Sequence, residues 1–84
     1  MSIIKTITRN LELLEEGSLF AHNEKGEDPA CVVWNVMNEN NLNGLALPDG
    51  RVIILDTTTK VYHFVVIEYP TGEREVYEAG YELV

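Results

Sequence analysis

Arg51-Val-Ile-Ile-Leu55, then a threonine-rich turn, Val61-Tyr-His-Phe-Val-Val-Ile67, a Pro70-Thr71-Gly72 turn and Glu73-Arg-Glu-Val-Tyr-Glu78 are the stretch on which the fold turns. Runs of β-branched and aromatic residues separated by turn signals read as three antiparallel strands laid side by side. The last turn fixes the register. Proline sets φ for a type I turn, and a glycine two residues on supplies the left-handed position of a three-residue hairpin loop. With Tyr69 facing Glu73, counting back puts Glu68 opposite Arg74, Val66 opposite Val76 and Phe64 opposite Glu78. Ile67 then meets Glu75 and Val65 meets Tyr77 on the other face. Both faces of 61–67 are mainly apolar, so this strand belongs in the middle of the sheet. His63 lies within it and reads as a satisfied core or rim residue.

Working outward, Pro48-Asp49-Gly50 turns the chain between Leu45-Ala-Leu47 and 51–55, a second hairpin with a brief edge strand. Asn38 to Gly44 is a loop carrying four asparagines. The segment Ala30-Cys-Val-Val-Trp-Asn-Val-Met37 alternates as a further strand, with Cys31, Val33, Asn35 and Met37 on one side and Val32, Trp34 and Val36 on the other, the Trp34 side toward the core. Ser18 to His22 is another short strand candidate. Ile4, Ile7, Leu11 and Leu14 recur at intervals of three and four, which predicts a helix over 3–16 with Ser2 as cap and Gly17 at its end. An alternative confines the helix to 8–16 and extends residues 4–7. The expected class is α+β: a small antiparallel sheet, flat or partly rolled toward an SH3-like barrel, with one N-terminal helix packed on it.

The chain has 84 residues, room for a single domain spanning 1–84 and one core. Fourteen acidic residues against six basic give a net charge of −8, which argues against direct contact with nucleic acid or an anionic membrane. One cysteine, Cys31, excludes an internal disulfide framework, and no apolar run follows Met1, so the expected setting is the cytoplasm.

Motifs for chemistry are wanting. Glu39, Asn41 and Asn43 alternate as in a calcium loop, but the twelfth position is Gly50, where a bidentate carboxylate is needed. His22, Cys31 and His63 lack the paired spacing of a zinc site. Cys31 follows Pro29 closely in an apolar segment and reads as an inert thiol. Glycine-rich phosphate cradles are absent. The sequence therefore calls for no enzyme activity, no metal and no cofactor.

What stands out is the acidic hairpin. Glu68, Glu73, Glu75, Glu78 and Glu82 face Arg74 alone, with Tyr69, Tyr77 and Tyr81 interleaved. On a strand Glu73 and Glu75 project to one side about 6.6 Å apart, at ~3.3 Å per residue, near the spacing of successive phosphates on one nucleic-acid strand. Tyr77 continues that side as an amphipathic anchor. The expectation is a partner-binding surface made of Glu68, Glu73, Glu75, Tyr77, Glu78 and Glu82, directed at a protein with a basic surface. In size and charge the chain resembles the small phage-encoded inhibitors, such as the uracil-DNA glycosylase inhibitor and the anti-restriction and anti-CRISPR proteins. That resemblance implies a DNA-mimic inhibitor of a basic nucleic-acid-handling protein. The alternative is an SH3- or Tudor-like peptide-binding or oligomeric interaction module, with a homo-oligomer among the expected assemblies.

Overall fold

The computed structural model describes residues 3–16, 28–56 and 62–81. Two helices, α1 (Ile3–Glu15) and α2 (Pro29–Glu39), precede four strands, β1 (Gly44–Ala46), β2 (Val52–Asp56), β3 (Tyr62–Glu68) and β4 (Arg74–Tyr81). The strands form one antiparallel meander in the order β1-β2-β3-β4. The class is α+β, and among the described residues the sheet is open, with β1 and β4 as its edges.

The expected strand over 30–37 is instead the helix α2, so a second helix joins the N-terminal one. Its signals are local. Asp28, in extended conformation, accepts the Ala30 N–H at 2.9 Å as N-cap, and Pro29 occupies the first turn, where its missing N–H costs nothing. At the other end Asn41 adopts φ 58°. The Leu42 N–H bonds the Met37 carbonyl at 2.8 Å and the Asn41 N–H bonds that of Asn38 at 3.1 Å, a complete Schellman closure. Between these caps Ala30, Val33, Trp34 and Met37 are buried. That spacing of three, one and three is a helical stripe, and it outweighs the strand preference of Val32, Val33 and Val36.

α1 spans 3–15 as a single helix, so the extended alternative for residues 4–7 is not adopted. Ile7 and Leu11 are fully buried, whereas Ile4 is 40% exposed and Asn10 takes an inward place. α1 packs on α2, and α2 lies against β4, β3 and β2. Ile53, Leu55, Val65, Ile67 and Ala79 turn inward to meet the helices. The predicted end cap of α1 at Gly17, its cap at Ser2 and the strand candidate at 18–22 fall outside the described residues.

The register of β3 and β4 is the one the turn predicts: Glu68 with Arg74, Ile67 with Glu75, Val66 with Val76, Val65 with Tyr77 and Phe64 with Glu78. β3 is interior, between β2 and β4. Both hairpin loops use the same chemistry. The Tyr69 N–H bonds Glu73 O and the Gly72 N–H bonds Tyr69 O, each at 2.9 Å; the Leu47 N–H bonds Arg51 O at 2.8 Å and the Gly50 N–H bonds Leu47 O at 3.0 Å. Each loop is Pro-X-Gly, with the glycine at φ 92° or 96°, a region that L side chains avoid. The loops lie together: a Cβ on Gly50 would stand 2.9 Å from Pro70 Cγ.

Candidate functional site

Because directly opposed residues share a face, the register divides the hairpin. Val65 and Ile67 are fully buried toward the helices, so their partners Tyr77 and Glu75 lie on the helix side of the sheet. Phe64, Val66 and Glu68 point to the other side, together with Glu78, Val76 and Arg74. The expected site residues are thus distributed over two surfaces. Glu75 and Tyr77 share one. Glu73, exposed, closes the loop beside them. Glu68 and Glu78 belong to the outer face, and Glu82 lies outside the described residues.

On the helix side Glu75 is held from two directions. The hydroxyls of Tyr69 and Tyr77 donate to its two carboxylate oxygens, each at 2.5 Å, the length expected when a neutral O–H meets a carboxylate. The bond from Tyr69, and then that from Tyr77, holds the Glu75 carboxyl below its ordinary range. The same bond raises the Tyr69 phenol to about 12, and burial followed by the Glu75 bond raises Tyr77 further. Both phenols remain neutral donors across the physiological range.

This group continues across the two loops. Asp49 accepts the Arg51 backbone N–H at 3.0 Å and its Nε at 2.7 Å, and the Arg51 guanidinium lowers the Asp49 carboxyl by those bonds. Arg51 also pairs with Glu15 at the end of α1, and the Glu15 charge contributes to raising both tyrosines. Two carboxylates, Glu15 and Asp49, therefore pair with one guanidinium, and Glu75 and Glu73 nearby on the hairpin add negative charge that no cation pairs with in this group. The Asp49-Gly50-Arg51 turn carried a local signal for its part. Glu15 and Arg51 are 36 residues apart, and nothing in the sequence pattern linked them.

The outer face is different in kind. Arg74 binds Glu68 through Nε at 3.0 Å and through Nη2 at 2.9 Å. Val76 beside it is 62% exposed.

The remaining chemical candidates lie elsewhere. His63 stacks flat on Trp34 of α2, ring centroids 3.8 Å apart and planes within 2°, so it forms part of the helix–sheet contact. Cys31 is on α2 rather than on a strand, partly buried, with Asn35 Nδ2 3.6 Å from its sulfur. Among the described residues no group of three or more histidine, cysteine, aspartate or glutamate side chains is placed to hold a metal ion, and no helix is long and apolar enough to cross a membrane.

Comparison of the chain with known protein families, with curated proteins and with solved structures finds no match.

Proposed function

We propose that this chain is a cytoplasmic, non-enzymatic binding protein whose partner is a protein with a basic surface, engaged through the helix-side patch of Glu73, Glu75 and Tyr77. The observation that carries the reading is the clamped Glu75: an exposed carboxylate fixed by two tyrosine hydroxyls in a patch where carboxylates outnumber cations. A charge fixed before binding loses little conformational freedom on association. Surplus negative potential raises the rate of encounter with a basic partner, and the two tyrosines supply apolar area at low entropy cost. Glu15 and Asp49 extend the patch beyond the hairpin. Glu68 and Glu78 point away from it, so they contribute long-range field rather than contact. The finer form of the proposal, suggested by the resemblance in size and charge to small phage-encoded inhibitors, is that the patch occupies the basic groove of a nucleic-acid-handling protein.

Affinity capture from the native cells, with the captured protein identified, supplies the partner for the test. Binding is then measured against salt concentration for the wild type and for the E73K/E75K variant. The proposal expects steep weakening with salt and loss of binding in the variant. Salt-independent binding that survives the double reversal would exclude it.

A further inference from the structure

The sheet ends at β4, and among the described residues no strand lies beyond it. Tyr69 and Glu73 are a hydrogen-bonded pair. Alternation along an antiparallel ladder then makes Ile67/Glu75 and Val65/Tyr77 the bonded pairs of β3 and β4. Arg74, Val76 and Glu78 sit at the positions between, so their N–H and C=O groups point off the open edge. All three side chains are exposed. The pairing of β3 with β4 loses its regularity between Tyr62 and Phe64, which leaves 74–78 as the straight part of the edge. An unpaired edge of this kind is a template for another strand.

We infer that the occupant of this edge is a second copy of the chain, pairing β4 antiparallel to β4 about a two-fold axis at Val76. The residues select that register. Centred on Val76, Val76 meets its own counterpart, and Arg74 meets Glu78 of the other copy twice over on the outer face. On the helix side Glu75 meets Tyr77. No like charges stand directly opposite. Arg74 then lies between Glu68 of its own chain and Glu78 of the other, and its guanidinium has donors for both. The neighbouring two-fold registers fail on the same criterion: centring on Glu75 opposes two glutamates, centring on Arg74 opposes two arginines, and centring on Glu78 opposes two glutamates again. Centring on Tyr77 avoids such a clash but sets Val76 against Glu78 and Arg74 against Gly80. The Val76 register also has the right parity, because it joins the three residues whose backbone groups point outward, and it covers the exposed Val76. The product is a continuous eight-stranded sheet, four strands from each copy, with the helices of both copies on one side. This inference does not rest on the acidic-patch reading: it is argued from the backbone edge and the outer-face pairs, although Glu75 and Tyr77 of that patch lie along the seam.

Sedimentation equilibrium across a concentration series tests it. The wild type is expected to reach twice the chain mass of 9.5 kDa. V76P removes one outward N–H that the monomer does not use, and E78K sets Lys against Arg74; both are expected to stay at the monomer mass with an unchanged circular dichroism spectrum. Restoring the opposite charge in R74E/E78K is expected to recover the dimer. A wild type that remains monomeric at its highest soluble concentration overturns the inference. So does a dimer that persists in both V76P and E78K.

Discussion

Replacing Asp28 by Ala tests the element that most changes the reading of this chain. The Asp28 carboxylate accepts the Ala30 N–H at 2.9 Å and sits at the positive end of α2. Loss of an N-cap acceptor costs about 1 kcal/mol, and loss of a negative charge at a helix N-terminus adds about 0.3–1 kcal/mol. The two overlap, so the expected total is about 1–2 kcal/mol. For a domain of 84 residues, with total stability on the order of 4–13 kcal/mol, that is a substantial fraction. At about 4–8 °C per kcal/mol for this size the melting temperature should fall by roughly 4–16 °C. The loss should be global, because α2 carries Ala30, Val33, Trp34 and Met37 into the core. Thermal and urea melts followed by far-ultraviolet circular dichroism measure it, with the urea slope unchanged. Asp28→Asn keeps the acceptor without the charge and should fall between. A D28A protein that melts with the wild type would refute the helix start at Pro29.

Gly50→Ala should cost more than Gly72→Ala. Both glycines have positive φ, but only at Gly50 would a Cβ meet Pro70 Cγ, at 2.9 Å. The strain alone is worth about 1–2 kcal/mol, and comparative urea melts of the two variants show the difference. Glu75→Ala should bring the Tyr69 titration down from about 12 toward 10, read from tyrosinate absorbance. The linkage has two ends. The Glu75 carboxyl is lowered on folding, so its contribution is present above the ordinary carboxyl range and is lost as pH falls through the folded value. The Tyr69 phenol is raised, so its contribution is present below 10 and is lost as pH rises toward 12. E75A should abolish the first effect and lessen the second, because burial and the Glu15 charge still raise the Tyr69 phenol. Asn10→Leu should stabilise by about 1 kcal/mol, because Asn10 Oδ1 is buried without a partner beside Ile7 and Leu11; a lower melting temperature would count against it.

The parts of this fold that are written locally are the parts the sequence discloses. Pro70-Thr71-Gly72 determines one loop geometry, so five cross-strand pairs followed from it by counting. The two apolar faces of 61–67 placed β3 in the interior. α1 was legible from Ile7, Leu11 and Leu14. The segment 30–37 misleads because valines at 32, 33 and 36 satisfy alternation as readily as a helical stripe. Asp28-Pro29 before it and the asparagine at 41 after it were the deciding signals, and they lie outside the apolar run. The site was legible in the same measure. The register already set Glu75 and Tyr77 on one face and Glu68 and Glu78 on the other, and that division shows the acidic residues of the hairpin to be two surfaces. The tie between Glu15 and Arg51 depends on how α1 packs, which no local pattern encodes.

The most direct test of the recognition surface compares one charge substitution on each side of the hairpin against the captured partner. With dissociation constants measured at low salt, Glu75→Lys should weaken binding by about tenfold or more, while Glu68→Gln on the outer face should leave it nearly unchanged. Equal losses from both variants, or a larger loss from Glu68→Gln, would contradict the assignment of recognition to the helix-side patch.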